Sequence, residues 1–141
     1  RSLALVSHST PKHPLLHSSC TPYVMEALKD SHMQATEFVA KSGDTKAKLR
    51  MVLETVPYGA PEALLTAHFN LFIKVTQMPN SSIDATVKAV PEGLRDTLMK
   101  YIYRAMRDAP SQSWLLWHKT LLSLAGEGCI VRTLTSGTQR V

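Results

Sequence analysis

Between Pro61 and Gln77 the chain is apolar on almost every side of the helix that its spacing predicts. Leu64, Leu65, Leu71, Phe72 and Val75 share one side, and Phe69 and Ile73 lean toward the other. Only Thr66, Asn70, Lys74 and Gln77 leave a thin polar stripe. Such a helix forfeits the free energy of burial wherever a flank meets water, so it has to be wrapped by other elements. We therefore expect this segment to be the hub of the fold. Pro61 opens it, and Glu62 in the first turn complements the positive end of the helix dipole.

The rest of the chain supplies the wrapping as further helices separated by Pro, Gly and Ser breaks. Thr21-Pro22 reads as an N-cap followed by a first-turn proline, and Val24, Leu28, Ala35, Phe38 and Val39 give that helix its apolar stripe until Gly43. Asp44-Thr45 caps the next, where Leu49, Val52, Leu53 and Val56 repeat at helical spacing up to Pro57 and a Tyr58-Gly59 turn. Beyond the break at Pro79-Asn80-Ser81, a short helix over about 82–90 carries Ile83, Val87 and Val90. Pro91-Glu92-Gly93 precedes a helix running to about Asp108, with Leu94, Leu98, Tyr101, Ala105, Met99, Ile102 and Met106 as its core face. After Ala109-Pro110-Ser111, a helix through Trp114 and Trp117 runs to Ala125 and stops at Gly126. Ile130, Val131 and Leu134 define a last short helix. No strand-like alternation occurs. The expected fold is all-α: about seven helices stacked as hairpins in a compact solenoid-like superhelix over residues 21–135, with an extended N-terminal arm over 1–20 and a polar tail over 136–141. The arm rests on Pro11 and Pro14, which disfavour helix, and is preferred to a targeting signal because Arg1 and Lys12 are its only strong cations.

A chain of 141 residues fits one domain. Charged residues make up only 19% against 44% hydrophobic, more apolar surface than one small core covers, which points to an obligate partner. The 16 Lys and Arg are scattered and the net charge is only +5, so the footprint of a nucleic-acid binder is missing. No apolar run reaches the length of a membrane span. Cys20 and Cys129 stand far apart, which fits neither a disulfide framework nor a zinc motif and suits a reducing compartment.

Chemical motifs fail on context. Gly126-Glu127-Gly128-Cys129 has Val131 where a dinucleotide fingerprint or a nucleophile elbow needs glycine, and a helix rather than a strand precedes it. Gly126 then turns the chain, Gly128 lets the next helix pack closely, and Cys129 is a small buried hydrophobe. His13 and His17 stand four apart but lack a third ligand, so no metal is expected. Asp96 with Lys100 and Arg104 with Asp108 read as ordinary surface pairs. His118 falls on the buried side of its helix as a packing residue, and Trp114 and Trp117 are either core or interface anchors. Tyr103, between Lys100 and Arg107 on the charged side, reads as an outward aromatic of the type enriched at binding hot spots.

Three blocks of the last third stand in order: Leu-Met-Lys-Tyr-Ile-Tyr over 98–103, Leu-Leu-Trp-His over 115–118 and Gly-Glu-Gly-Cys-Ile-Val-Arg-Thr-Leu-Thr over 126–135. With them the chain, from about Gly43 to Leu134, resembles the smallest (16-kDa) subunit of the actin-related protein 2/3 complex, which nucleates branched actin filaments. The resemblance implies a cytoplasmic, non-catalytic structural subunit of the actin cytoskeleton with no cofactor of its own. Its helical body would dock on the β-propeller subunit and a small scaffold subunit, and its arm would reach an actin-related protein. The family's partner contacts map onto Lys100, Tyr101, Tyr103, Trp117, His118 and Arg132. The family arm is acidic, whereas residues 1–25 hold no Asp or Glu, so arm contacts are not carried over. Two other readings stand beside this one: a stand-alone helical adaptor binding a peptide or acidic surface in its groove, and an enzyme built from scattered residues.

Overall fold

The computed structural model describes residues 21–136 and 140–141. The arm expected over 1–20 lies outside these residues. Seven α-helices follow in order: α1 (Pro22–Lys41), α2 (Thr45–Glu54), α3 (Glu62–Thr76), α4 (Ile83–Lys88), α5 (Arg95–Asp108), α6 (Gln112–Ala125) and α7 (Gly128–Thr135). Single 3-10 turns, Asn80–Ser82 and Glu92–Leu94, lead into α4 and α5. No strand occurs among the described residues, and the chain is all-α.

Local chemistry sets the boundaries. Asp44 caps α2 by accepting the Lys46 amide at 3.1 Å, and Ser111 caps α6 by accepting from the Ser113 amide. Gly126 ends α6 with φ 73° and ψ 172°, a conformation open essentially only to glycine, while its amide still reaches the Leu122 carbonyl. Gly59 turns the chain between α2 and α3 with φ 78°.

Packing runs between near neighbours in sequence, as in a solenoid. α1, α2 and α3 pack on one another, α3 joins α5, α5 packs against α6 and α7, and α4 seats on α6. The hub role expected of α3 is therefore shared with α5, the link to the C-terminal helices. The two are joined by an aromatic layer: Phe72 stacks on Tyr101 with centroids 4.6 Å apart and on Trp114 at 5.9 Å, and Phe69 lies parallel to Tyr101. Phe72, Tyr101 and Trp117 are nearly devoid of exposure. Burying each such ring stabilises by about 2–3 kcal/mol.

Two details differ from the sequence expectation. In α1 only Ala35 and Val39 of the predicted stripe are buried, whereas Val24, in the N-terminal half without a buried residue, and Phe38, one position off the buried row, are exposed. The end of the chain is not simply a polar tail either: Val141 is buried, and its carbonyl accepts from Arg104 Nη1.

Candidate partner interface

One row of α5 carries Asp96, Lys100, Tyr103 and Arg107, three or four residues apart and hence on one face. Side chains from α6, α7 and the α2–α3 turn answer the first three. Arg132 of α7 grips Asp96 bidentately, Nε to Oδ2 at 2.6 Å and Nη2 to Oδ1 at 3.0 Å. That bond holds the Asp96 carboxyl below the usual carboxylate range. Gly128 makes room for the clasp: a Cβ there would stand 3.1 Å from Arg132 Nη1. Lys100 Nζ lies 5.4 Å from the centre of the Tyr58 ring, whose hydroxyl meets Thr97 Oγ1. Tyr103 and His118 of α6 share a hydrogen bond of 3.3 Å between Oη and Nε2.

The six candidate residues divide accordingly. Lys100, Tyr103 and His118 are half-buried and Arg132 is exposed, so these four keep atoms at the surface. Tyr101 and Trp117 are sealed in the core, where they shape the helices from beneath. Trp114 is a core anchor as well, donating its indole N–H to the Ala109 carbonyl at 3.0 Å. Tyr103 does not project freely from a charged face as expected. Its ring leans on His118, and burial raises its phenol pKa.

The pair Arg104–Asp108 is not the ordinary surface pair its spacing suggests. The Arg104 side chain is only 8% exposed, with Nη2 donating to Glu62 Oε1 and Thr66 Oγ1, each at 3.1 Å, and Nε donating to Asp108 at 3.3 Å. Its guanidinium lies 4.7 Å from the Phe69 centroid. An i, i+4 count sees only Asp108; the other partners come from α3 and the chain end, which no local pattern foretells. Asp96 likewise engages Arg132 across helices.

Sequence reasoning also missed the surface that now stands out. Leu115 on α6 is 64% exposed, and Val131 and Leu134 on α7 are 60% and 67% exposed. Leu115 borders an open groove of about 460 Å³ with Met106, Pro110, Ser111 and Gln112. Val131 and Leu134, three residues apart, share one face of α7 and leave it apolar.

Catalytic chemistry finds no footing in this region. Burial pushes the Cys129 thiol up to about 11, so it stays protonated at neutral pH. No group of three or more His, Cys, Asp or Glu that could hold a metal ion occurs among the described residues, and His13 and His17 lie outside them. No helix of the described residues is long and apolar enough to cross a membrane.

Residues 7–141 match the family described as ARP2/3 complex 16 kDa subunit (p16-Arc). The chain is 30% identical over 125 residues to a probable actin-related protein 2/3 complex subunit 5 of Caenorhabditis elegans, covering 84% of this chain and 80% of that one. It is 30% identical over 102 residues to actin-related protein 2/3 complex subunit 5-C of Xenopus laevis, covering 68% and 67%. A subunit 5-like protein of Rattus norvegicus is 29% identical over 101 residues. With the family matched from residue 7 to the last and the fold all-helical, the chain belongs to the ARP2/3 complex 16 kDa subunit family.

Proposed function

We propose that this chain is a non-catalytic structural subunit of an actin-related protein 2/3 complex, acting in the cytoplasm on the actin cytoskeleton to support assembly of the complex and branched filament nucleation. The observation that carries the reading, beside family membership, is that Leu115 on α6 and Val131 and Leu134 on α7 stay exposed to water. A helical body with exposed aliphatic side chains is suited to assembly. The body is proposed to dock on the β-propeller subunit and a small scaffold subunit of the complex, with residues 1–20 extending toward an actin-related protein. ATP chemistry would then rest with the actin-related subunits.

The test is co-expression with the other subunits, followed by affinity purification and a pyrene-actin polymerisation assay. The Val131→Asp/Leu134→Asp double variant is expected to drop out of the purified complex while its isolated fold keeps the parent's melting behaviour. A double variant that co-purifies and supports branching like the parent overturns the proposed interface. A parent chain that is monomeric and stable alone, and retained by no subunit, favours the stand-alone adaptor instead.

A further inference from the structure

His68 is fully buried at the centre of α3, and both of its ring nitrogens are committed. Nε2 lies 2.9 Å from the Val52 carbonyl of α2, and because a carbonyl only accepts, that nitrogen carries the proton. Nδ1 of a neutral His68 is therefore bare, and it faces Nδ1 of His32 on α1 at 3.1 Å. His32 must be the donor in that bond. One donor, one acceptor and one carbonyl thus tie α1, α2 and α3 together through a single imidazole.

A first extra proton has a harmless place to go, Nε2 of the half-buried His32, which leaves the bond between the rings intact. A proton on His68 does not: two N–H groups would then point at each other across 3.1 Å with no acceptor between them. Neighbouring charges bring no relief. The charge that bears on His68 is that of His32, which lowers its pKa; Lys29, exposed, stands one turn before His32, Lys48 stands four residues before Val52, and Arg104 on α5 points at Glu62 and Phe69. Tyr101, whose ring centre lies 6.3 Å from that of His68, is held neutral by burial.

Among the described residues, the rest of the α1 attachment is slight. Ala35 and Val39 are its only buried residues, and Leu28 is half-buried. We propose that the His32–His68 pair is a pH-dependent clasp, which holds α1 on α2 and α3 while His68 is neutral and loosens the helix when His68 takes a proton. Burial lowers the pKa of both rings below the ordinary 6.5, consistent with a closed state that rejects the proton. The sign follows. A folded pKa depressed below that of the released group means that closure is fully favourable above about 6.5 and weakens as pH falls, with the opening constant rising up to about tenfold per pH unit for one linked proton.

The experiment is amide hydrogen exchange of the full chain between pH 7.5 and 5.5, corrected for intrinsic rates, with α5 as the internal reference. The expected result is that the opening of α1 rises by up to about tenfold per pH unit below 6.5 while α5 stays comparatively protected. In His32→Asn, the amide at the same place turns to accept from a protonated His68, so the acid response of α1 should shrink. Opening of α1 that is flat with pH, or an undiminished response in His32→Asn, overturns the proposal. So does a ring titration by NMR that places the pKa of His68 at or above 6.5.

Discussion

Two polar side chains on the inside, His68 and Arg104, show what a single residue can carry. Arg104 gathers Glu62, Thr66, Asp108 and the Val141 carbonyl around one guanidinium and lays its face on Phe69. Removing it strands the Val141 carbonyl and uncovers the Phe69 ring, while Glu62 and the Thr66 hydroxyl stay largely hydrated. Arg104→Ala should therefore cost about 1–3 kcal/mol in chemical denaturation rather than the larger penalty of a fully interior ion pair. Arg104→Lys should recover little, because a point charge replaces neither the fork nor the ring contact. Neither role was legible in the sequence. Arg104 has Asp108 four residues on, a spacing as common on surfaces, and its deciding partners lie on α3 and at the chain end. His68 follows Thr66 and precedes Asn70, polar residues that do face water, so only the backbone places it inward. Tyr103 was misjudged for a related reason: a helical wheel assigns it to the charged row, yet α6 arrives beside that row and brings His118.

Whole elements were far more readable than these contacts, because caps and breaks are local chemistry. The prolines at 22, 61, 79 and 91, the Asp44 cap and Gly126 mark ends or breaks of helices where the structure has them. The apolar run of α3 announces a central position, and the structure adds that α5 shares it through Tyr101. Substitutions at the junctions should behave accordingly. Gly126→Ala forces a side chain into φ 73° and ψ 172° and should destabilise by about 1–3 kcal/mol, although a Cβ there meets no atom. Equal stability of the alanine variant in a urea titration would contradict that account of the α6–α7 turn. Phe72→Ala removes the ring between Tyr101 and Trp114 and should cost about 3–5 kcal/mol, read as an earlier midpoint at unchanged slope. The stripe of α1 misled for want of tertiary information: Val24 and Phe38 repeat with the right period, but no helix of the described residues covers them.

At the level of the whole molecule, the exposed Leu115, Val131 and Leu134 predict that the chain alone self-associates as concentration rises. Sedimentation velocity should show this for the parent and a more nearly monomeric species for Val131→Asp/Leu134→Asp. A parent that sediments as a single small species across the range would mean those side chains tolerate water without help. The aromatic layer has a practical consequence for anyone watching the protein unfold. Both tryptophans of the chain sit on α6, packed within the layer that α3 and α5 complete, while α1 carries none and leans on α2 and α3. Emission from the indoles will register collapse of the central body. It will stay dark to the departure of the first helix, so a smooth optical melt of this protein is no proof that every part let go at once.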